Sequence, residues 1–299
     1  MTIAAVTASP HLFFDGDVPL AATVHRDTDD LLDRQPAVIV TGSWLTVKEQ
    51  MADHYARALA ARGYTVFTFD FAGFGESGGE PRQLEVPSRK IADITAAARY
   101  VSSLSYVRPG VGYLGVCASA QYALAAIAGG APIASFVSVA GWYHDTATVA
   151  PFYGGAAGVT DRVRRAEAAL AEYRRTGAMP VVPAYESGND RAGMFLELDY
   201  YADAARGAVP SWRNEMAEAS WLYWLTFDGL SAADRVSAPT LLVHGDDCVL
   251  PANAKSVHDR LAGPRDLVWA RGAQTDFYDQ PEQVAQAVDA ADRHFRRTL

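Results

Sequence analysis

Six short runs rich in β-branched and aromatic residues, at 37–41, 64–70, 111–116, 133–140, 240–244 and 267–270, alternate along this chain with longer helical patterns. Strands separated by crossover helices pair in parallel, so the alternation predicts an α/β fold with a mostly parallel central sheet flanked by helices. Between the first two runs, Met51, Tyr55 and Leu59 recur at helical spacing and Gly63 follows as a stop. Residues 87–104 read as another helix. At the N-terminal end, 11–15 and 18–25 joined at Gly16 predict an antiparallel hairpin added to the sheet edge.

The connection between the fourth and fifth parallel runs is far longer than one helix and its loops. This predicts a core from residues 1–140 and 236–299 and a cap or lid inserted over 141–235. Within the insertion, 161–175 reads as a charged helix, 179–183 as a Pro-bounded loop and 212–225 as an aromatic-rich helix. Trp212, Trp221, Tyr223 and Trp224 either wall a substrate cavity or form plain core.

With 299 residues, 49% of them hydrophobic, the chain can bury one large core or a core plus a lid. A formal charge of −9 and the lack of a clustered Lys/Arg stripe exclude a nucleic-acid face. The most apolar stretch, 113–143, is broken by Gln121, Gly129, Gly130 and Pro132, which predicts a buried strand, helix and strand rather than a membrane span. Two cysteines, Cys117 and Cys248, and an N-terminal stretch without the pattern of a secretory signal fit a reducing, cytoplasmic compartment. No metal or organic cofactor motif is present. The expected partner is a small-molecule substrate, with neither nucleic acid nor membrane, and a homodimer is left open.

Chemistry concentrates at Tyr113-Leu114-Gly115-Val116-Cys117-Ala118-Ser119-Ala120, a strand running into an apolar helix with small residues two before and two after the cysteine. Small neighbours let such a turn close tightly and thrust its apex residue beyond the sheet, the geometry of a nucleophile elbow. The helix N-terminus behind Cys117 is expected to lower the thiol pKa from about 8.5. The alternative is a small buried apolar residue, the usual state of a free cysteine; Cys248, which lacks this context, reads as structural or incidental.

These residues resemble the α/β-hydrolase superfamily, in particular its dienelactone-hydrolase-like branch, in which cysteine can replace the usual serine. Thr41-Gly42-Ser43-Trp44 is similar to the family's oxyanion turn. Asp70-Phe71-Ala72-Gly73-Phe74-Gly75-Glu76-Ser77 is similar to its Asp-x-Arg-Gly-x-Gly-x-Ser loop, with Ala72 in place of arginine. His244-Gly245-Asp246-Asp247-Cys248-Val249-Leu250-Pro251 resembles its acid loop. The resemblance implies oxyanion donors at the backbone of Ala118 and of Ser43 or Trp44. It implies the acid at Asp247 in preference to Asp246, although either aspartate could instead cap the following helix.

The family's histidine after the last strand is missing. Gln274 occupies its position in Gly272-Ala273-Gln274-Thr275-Asp276-Phe277-Tyr278-Asp279, and an amide cannot take a proton at neutral pH. His144, in Gly141-Trp142-Tyr143-His144-Asp145 after the fourth strand, is the candidate substitute base; otherwise it is a hydrogen-bonded loop residue or a substrate contact. Trp142, Tyr143, Trp221 and Trp224 are the candidate substrate contacts. The expected activity is hydrolysis of an ester, lactone or thioester of a partly apolar small molecule through Cys117. With no base, acyl transfer, cyclisation, lyase chemistry or non-covalent binding compete with it.

Overall fold

The computed structural model describes residues 6–299; the first five, where the N-terminal stretch read above begins, lie outside the described residues. Eight strands, β1 (Thr7–Asp15), β2 (Val18–Arg26), β3 (Gln35–Thr41), β4 (Thr65–Phe69), β5 (Val107–Val116), β6 (Ser135–Val139), β7 (Thr240–His244) and β8 (Arg265–Trp269), form one sheet. Their spatial order is β1-β2-β4-β3-β5-β6-β7-β8. The hairpin β1–β2 runs antiparallel and joins the edge through β4, and every pairing from β4 to β8 is parallel.

Strands β4, β6 and β7 are buried along their whole length, which is why they read as unbroken apolar runs rather than as alternating ones. Helices α1 (Met51–Ala60), α2 (Pro87–Ser102), α3 (Ala118–Ala128), α4 (Gly155–Thr176), α5 (Pro251–Arg260) and α6 (Pro281–Thr298) complete the main elements. Of these, α1 packs with α6 and α2 with α3. No helix among the described residues is long and apolar enough to cross a membrane.

The segment between β6 and β7 carries α4, an antiparallel pair of Val181–Val182 with Met216–Ala217, and short helices at Thr146–Val149, Asp199–Ala202 and Trp221–Trp224. Two expectations are corrected here. Residues 212–225 are not one helix: Met216–Ala217 is drawn into strand pairing, the Trp212 indole donates to the Leu45 carbonyl at 2.8 Å, and helix is confined to a 3-10 turn at Glu218–Ser220 and an α turn at Trp221–Trp224. The predicted loop at 179–183 supplies the other strand of that pair. In both places pairing between segments distant in sequence overrides local periodicity.

The loops after β3, β5, β6, β7 and β8 all leave the carboxyl ends of parallel strands. That is the end at which open α/β sheets gather their ligands.

Candidate active site at Cys117

Cys117 links β5 to α3 with φ 55° and ψ −122°, a left-handed conformation that side chains disfavour. The surroundings over-determine it. Its N–H donates to the Val139 carbonyl at 3.1 Å, and its own carbonyl accepts from Trp142 and Ala120 N–H, both at 3.0 Å. A Cβ added at Gly115 would stand 3.0 Å from the backbone of Ala120, so a larger residue would force the turn open by a few tenths of an ångström. The Ser119 hydroxyl bonds the Gly42 carbonyl and ties the elbow to the turn after β3.

The sulfur is buried and borders a cavity of about 300 Å³. Burial pushes the thiol above its ordinary pKa; hydrogen bonding from the Ser43 and Tyr278 hydroxyls and from the Ala118 and Trp44 N–H groups opposes that rise. The expectation of a thiol lowered by the helix N-terminus is therefore corrected: desolvation outweighs the nearby donors and favours the thiol over the thiolate. The backbone N–H of Ser43 is engaged elsewhere, on Met51 Sδ at 3.3 Å. Of the two candidates in that turn, Trp44 is the one whose N–H faces the sulfur.

Gln274 reaches the cavity as a clamp. Its Oε1 accepts the Val249 N–H at 3.1 Å, while Nε2 donates to the Ala140 carbonyl at 2.8 Å and to the Tyr278 hydroxyl at 3.1 Å. Tyr278 Oη lies 3.4 Å from Ser43 Oγ, which also accepts from Tyr201 Oη at 3.0 Å. Tyr278 and Tyr201 were not singled out from the sequence. The signal for Tyr278 was its place one helical turn after Gln274; Tyr201, deep in the insertion, gave none.

His144 does not join this group. Its Nδ1 accepts the Trp142 indole N–H at 2.7 Å, its Nε2 bonds the Trp224 carbonyl at 2.8 Å, and it does not line the cavity. Burial lowers its pKa to about 4. Placement as a substitute base is corrected to a buried structural imidazole. Asp247 and Asp246 are both exposed, neither lines the cavity, and Asp246 faces Lys255 Nζ at 3.5 Å. No acid at either position reaches an imidazole beside the sulfur, and α5 is capped by the Leu250 backbone with no side-chain bond from either aspartate.

Among the candidate substrate contacts, Trp142 and Trp224 line the cavity, whereas Tyr143 and Trp221 do not. Tyr143 is buried behind Gly141, and Trp221 stands behind Trp44 and Tyr153, at ring separations of 5.8 and 4.8 Å. Phe152, Tyr153, Phe195 and Leu198 from the insertion complete much of the wall, and no lining residue is charged.

Cys248 is a buried thiol pushed up to about 12 by burial, with Sγ 3.8 Å from the Gly272 carbonyl. Among the described residues, the one acidic cluster that could suit a cation is Glu49, Asp70 and Glu76, and the Lys48 ammonium already stands among them at 2.6, 3.0 and 2.6 Å.

A family model described as "Alpha/beta hydrolase family" matches residues 37–287. The chain belongs to the α/β-hydrolase family. Similar α/β hydrolases and relatives include protein PA2218 of Pseudomonas aeruginosa, 28% identical over 89% of this chain and 74% of that protein. Its crystal structure superposes with a TM-score of 0.86 over 100% of this chain and 96% of that one, at 24% identity. Acyltransferase drtE of Aspergillus calidoustus is 27% identical over 80% of this chain and 79% of its own. DcsB, solved in complex with a substrate analogue, gives a TM-score of 0.81 at 17% identity over 98% of this chain and 99% of that one.

Proposed function

We propose that this α/β hydrolase forms an acyl thioester on Cys117, as a cysteine-bearing member of the dienelactone-hydrolase-like branch, and passes the acyl group to an acceptor other than water. The donor is an ester, lactone or thioester whose uncharged, apolar acyl part fills the cavity. The observation that carries this reading is a sulfur on a strained elbow at the floor of an apolar cavity, faced by the N–H groups of Ala118 and Trp44. In this reading those two donors receive the oxyanion that develops on an acyl carbon bonded to that sulfur.

Transfer is favoured over hydrolysis by what surrounds the sulfur. Water needs a base to attack a thioester, and both His144 nitrogens are engaged while Gln274 cannot accept a proton. A thiol, an amine or an internal hydroxyl of the bound acyl chain attacks with less help, because proximity replaces activation. Similarity to a protein named acyltransferase supports the same direction. The segment 141–235 acts in this reading as a cap, since Trp142, Phe152, Tyr153, Phe195 and Trp224 supply most of the apolar wall.

The test is intact-mass spectrometry after mixing with S-octanoyl-N-acetylcysteamine, followed by addition of an amine or a thiol. The expected result is one octanoyl adduct mapped to Cys117, absent from Cys117→Ala, and discharged faster by the acceptor than by water. Ligand binding with no adduct at any time would leave a non-covalent pocket as the better description.

A further inference from the structure

A protonated thiol cannot attack a carbonyl until its proton has somewhere to go. In most nucleophilic sites an imidazole takes it. Here His144 is engaged at both ring nitrogens, His244 bonds the Gly245 and Gly141 carbonyls at 3.1 and 3.2 Å, and neither lines the cavity. Asp246 and Asp247 are at the surface. Among the described residues, the side-chain hydroxyls that hydrogen-bond toward the sulfur are those of Ser43 and Tyr278.

Hydrogen-bond accounting separates these two. The Gln274 amide has one defensible orientation, because reversing it would set Oε1 against the Ala140 carbonyl and Nε2 against the Val249 N–H. Both Nε2 protons are then assigned, one to Ala140 and one to Tyr278. Tyr278 Oη must accept from Gln274, so its single proton points away from the amide, on the side of Cys117 Sγ and Ser43 Oγ; turned to Ser43, it leaves the second Oη lone pair open to the thiol proton. The Ser43 oxygen, by contrast, is held by the Tyr201 hydroxyl at 3.0 Å.

We propose that Tyr278 is the catalytic proton carrier of this site and that Gln274, in the place of the family's histidine, is the positioning residue that aims it. The inference rests on the covalent reading above and adds the route of the proton. As Sγ bonds to the acyl carbon, the thiol proton moves to Tyr278 Oη and the proton of Tyr278 moves to the departing thiolate or alkoxide, whose bond to that carbon breaks. When the acceptor attacks, its proton passes through Tyr278 to the departing Cys117 sulfur. Each half reaction returns a neutral phenol, so no net base is consumed. Burial and the neighbouring Cys117 keep the Tyr278 phenol well above its ordinary pKa, which suits a group that relays protons without storing charge.

The experiment is single-turnover acylation of Cys117 by two octanoyl donors, read by rapid-quench intact mass. S-octanoyl-N-acetylcysteamine needs a proton on its leaving group; p-nitrophenyl octanoate expels a stable anion. Tyr278→Phe keeps the ring and is expected to slow acylation by the thioester about a hundredfold. Gln274→Ala, which leaves the hydroxyl in place but unaimed, is expected to slow it about tenfold. Both variants should lose clearly less with the p-nitrophenyl ester, because there Tyr278 only has to take the thiol proton and none has to be delivered to the leaving group. Equal losses with the two donors, or no loss in Tyr278→Phe, overturn the assignment while the covalent reading stands. An unsubstituted protein that forms no adduct on Cys117 overturns both.

Discussion

Serine at position 117 would present the same geometry with a far less acidic hydroxyl. In a serine hydrolase, removing the base costs on the order of a million-fold in turnover, and this site has no imidazole beside the sulfur. Cys117→Ser is therefore expected to be as inactive as Cys117→Ala, whereas Cys117→Ser combined with Gln274→His regains slow ester hydrolysis. Initial rates on p-nitrophenyl octanoate decide this, and substantial activity in the single serine variant would mean that a base operates unseen. Some of this arrangement was legible in the sequence. Small residues at 115 and 119 gave the elbow, and the turn at Ser43 and Trp44 gave the donors beside it. Hydroxyl groups were not legible, because Tyr278 reaches the sulfur only through the turn that Asp276–Asp279 happens to make, and Tyr201 arrives from a segment far away in the chain. The direction of the thiol shift was misread for a related reason. Desolvation depends on everything packed around the sulfur, whereas the helix behind it is local.

At the scale of elements, α2 carries a feature that no periodicity announces. Lys90, in its first turns, is buried and pairs with the buried Glu85 at 2.7 Å, and Glu85 also accepts from Tyr122 Oη on α3 at 2.6 Å. The ammonium lies 4.7 and 4.5 Å from the ring centres of Phe71 and Phe74. Removing one partner of such a pair strands the other in a medium that solvates it poorly. Lys90→Met should cost about 3–5 kcal/mol in urea unfolding, and Lys90→Met with Glu85→Gln should cost less than the single change. Equal or additive costs would show that the pair is already hydrated. The parallel strands were legible because both faces of the sheet are covered, so burial is written into continuous apolar runs. The insertion was less legible: the pairing of Met216–Ala217 with Val181–Val182 and the Trp212–Leu45 bond join residues that no window of sequence brings together.

For the molecule as a whole, two buried groups with opposite shifts shape how stability varies with pH. Burial raises the Asp93 carboxyl to about 7, although the Ala72 N–H bonds Oδ2 at 2.9 Å; Oδ1 has no partner. Its folded pKa lies above its unfolded value near 3.9, so the stability tied to this group is complete below pH 4 and is lost as pH rises through 7. His144 behaves in reverse. With its folded pKa lowered to about 4, its contribution is complete above about 6.5 and is lost as pH falls through 4. The two slopes oppose each other between pH 4 and 6.5, and above that window the Asp93 slope continues without the histidine's opposition. Asp93→Asn removes it. An asparagine amide adds a cost of its own at Oδ1's position, but that cost does not vary with pH, so the slope of the difference between variant and parent is the diagnostic quantity. Urea unfolding at pH 5 and pH 8 should show the variant gaining on the order of 2 kcal/mol relative to the parent across that interval. A difference that stays flat from pH 5 to pH 8 would mean that Asp93 ionises in the folded protein at no cost, with water or a shifted cation at the oxygen left bare beneath Ala72.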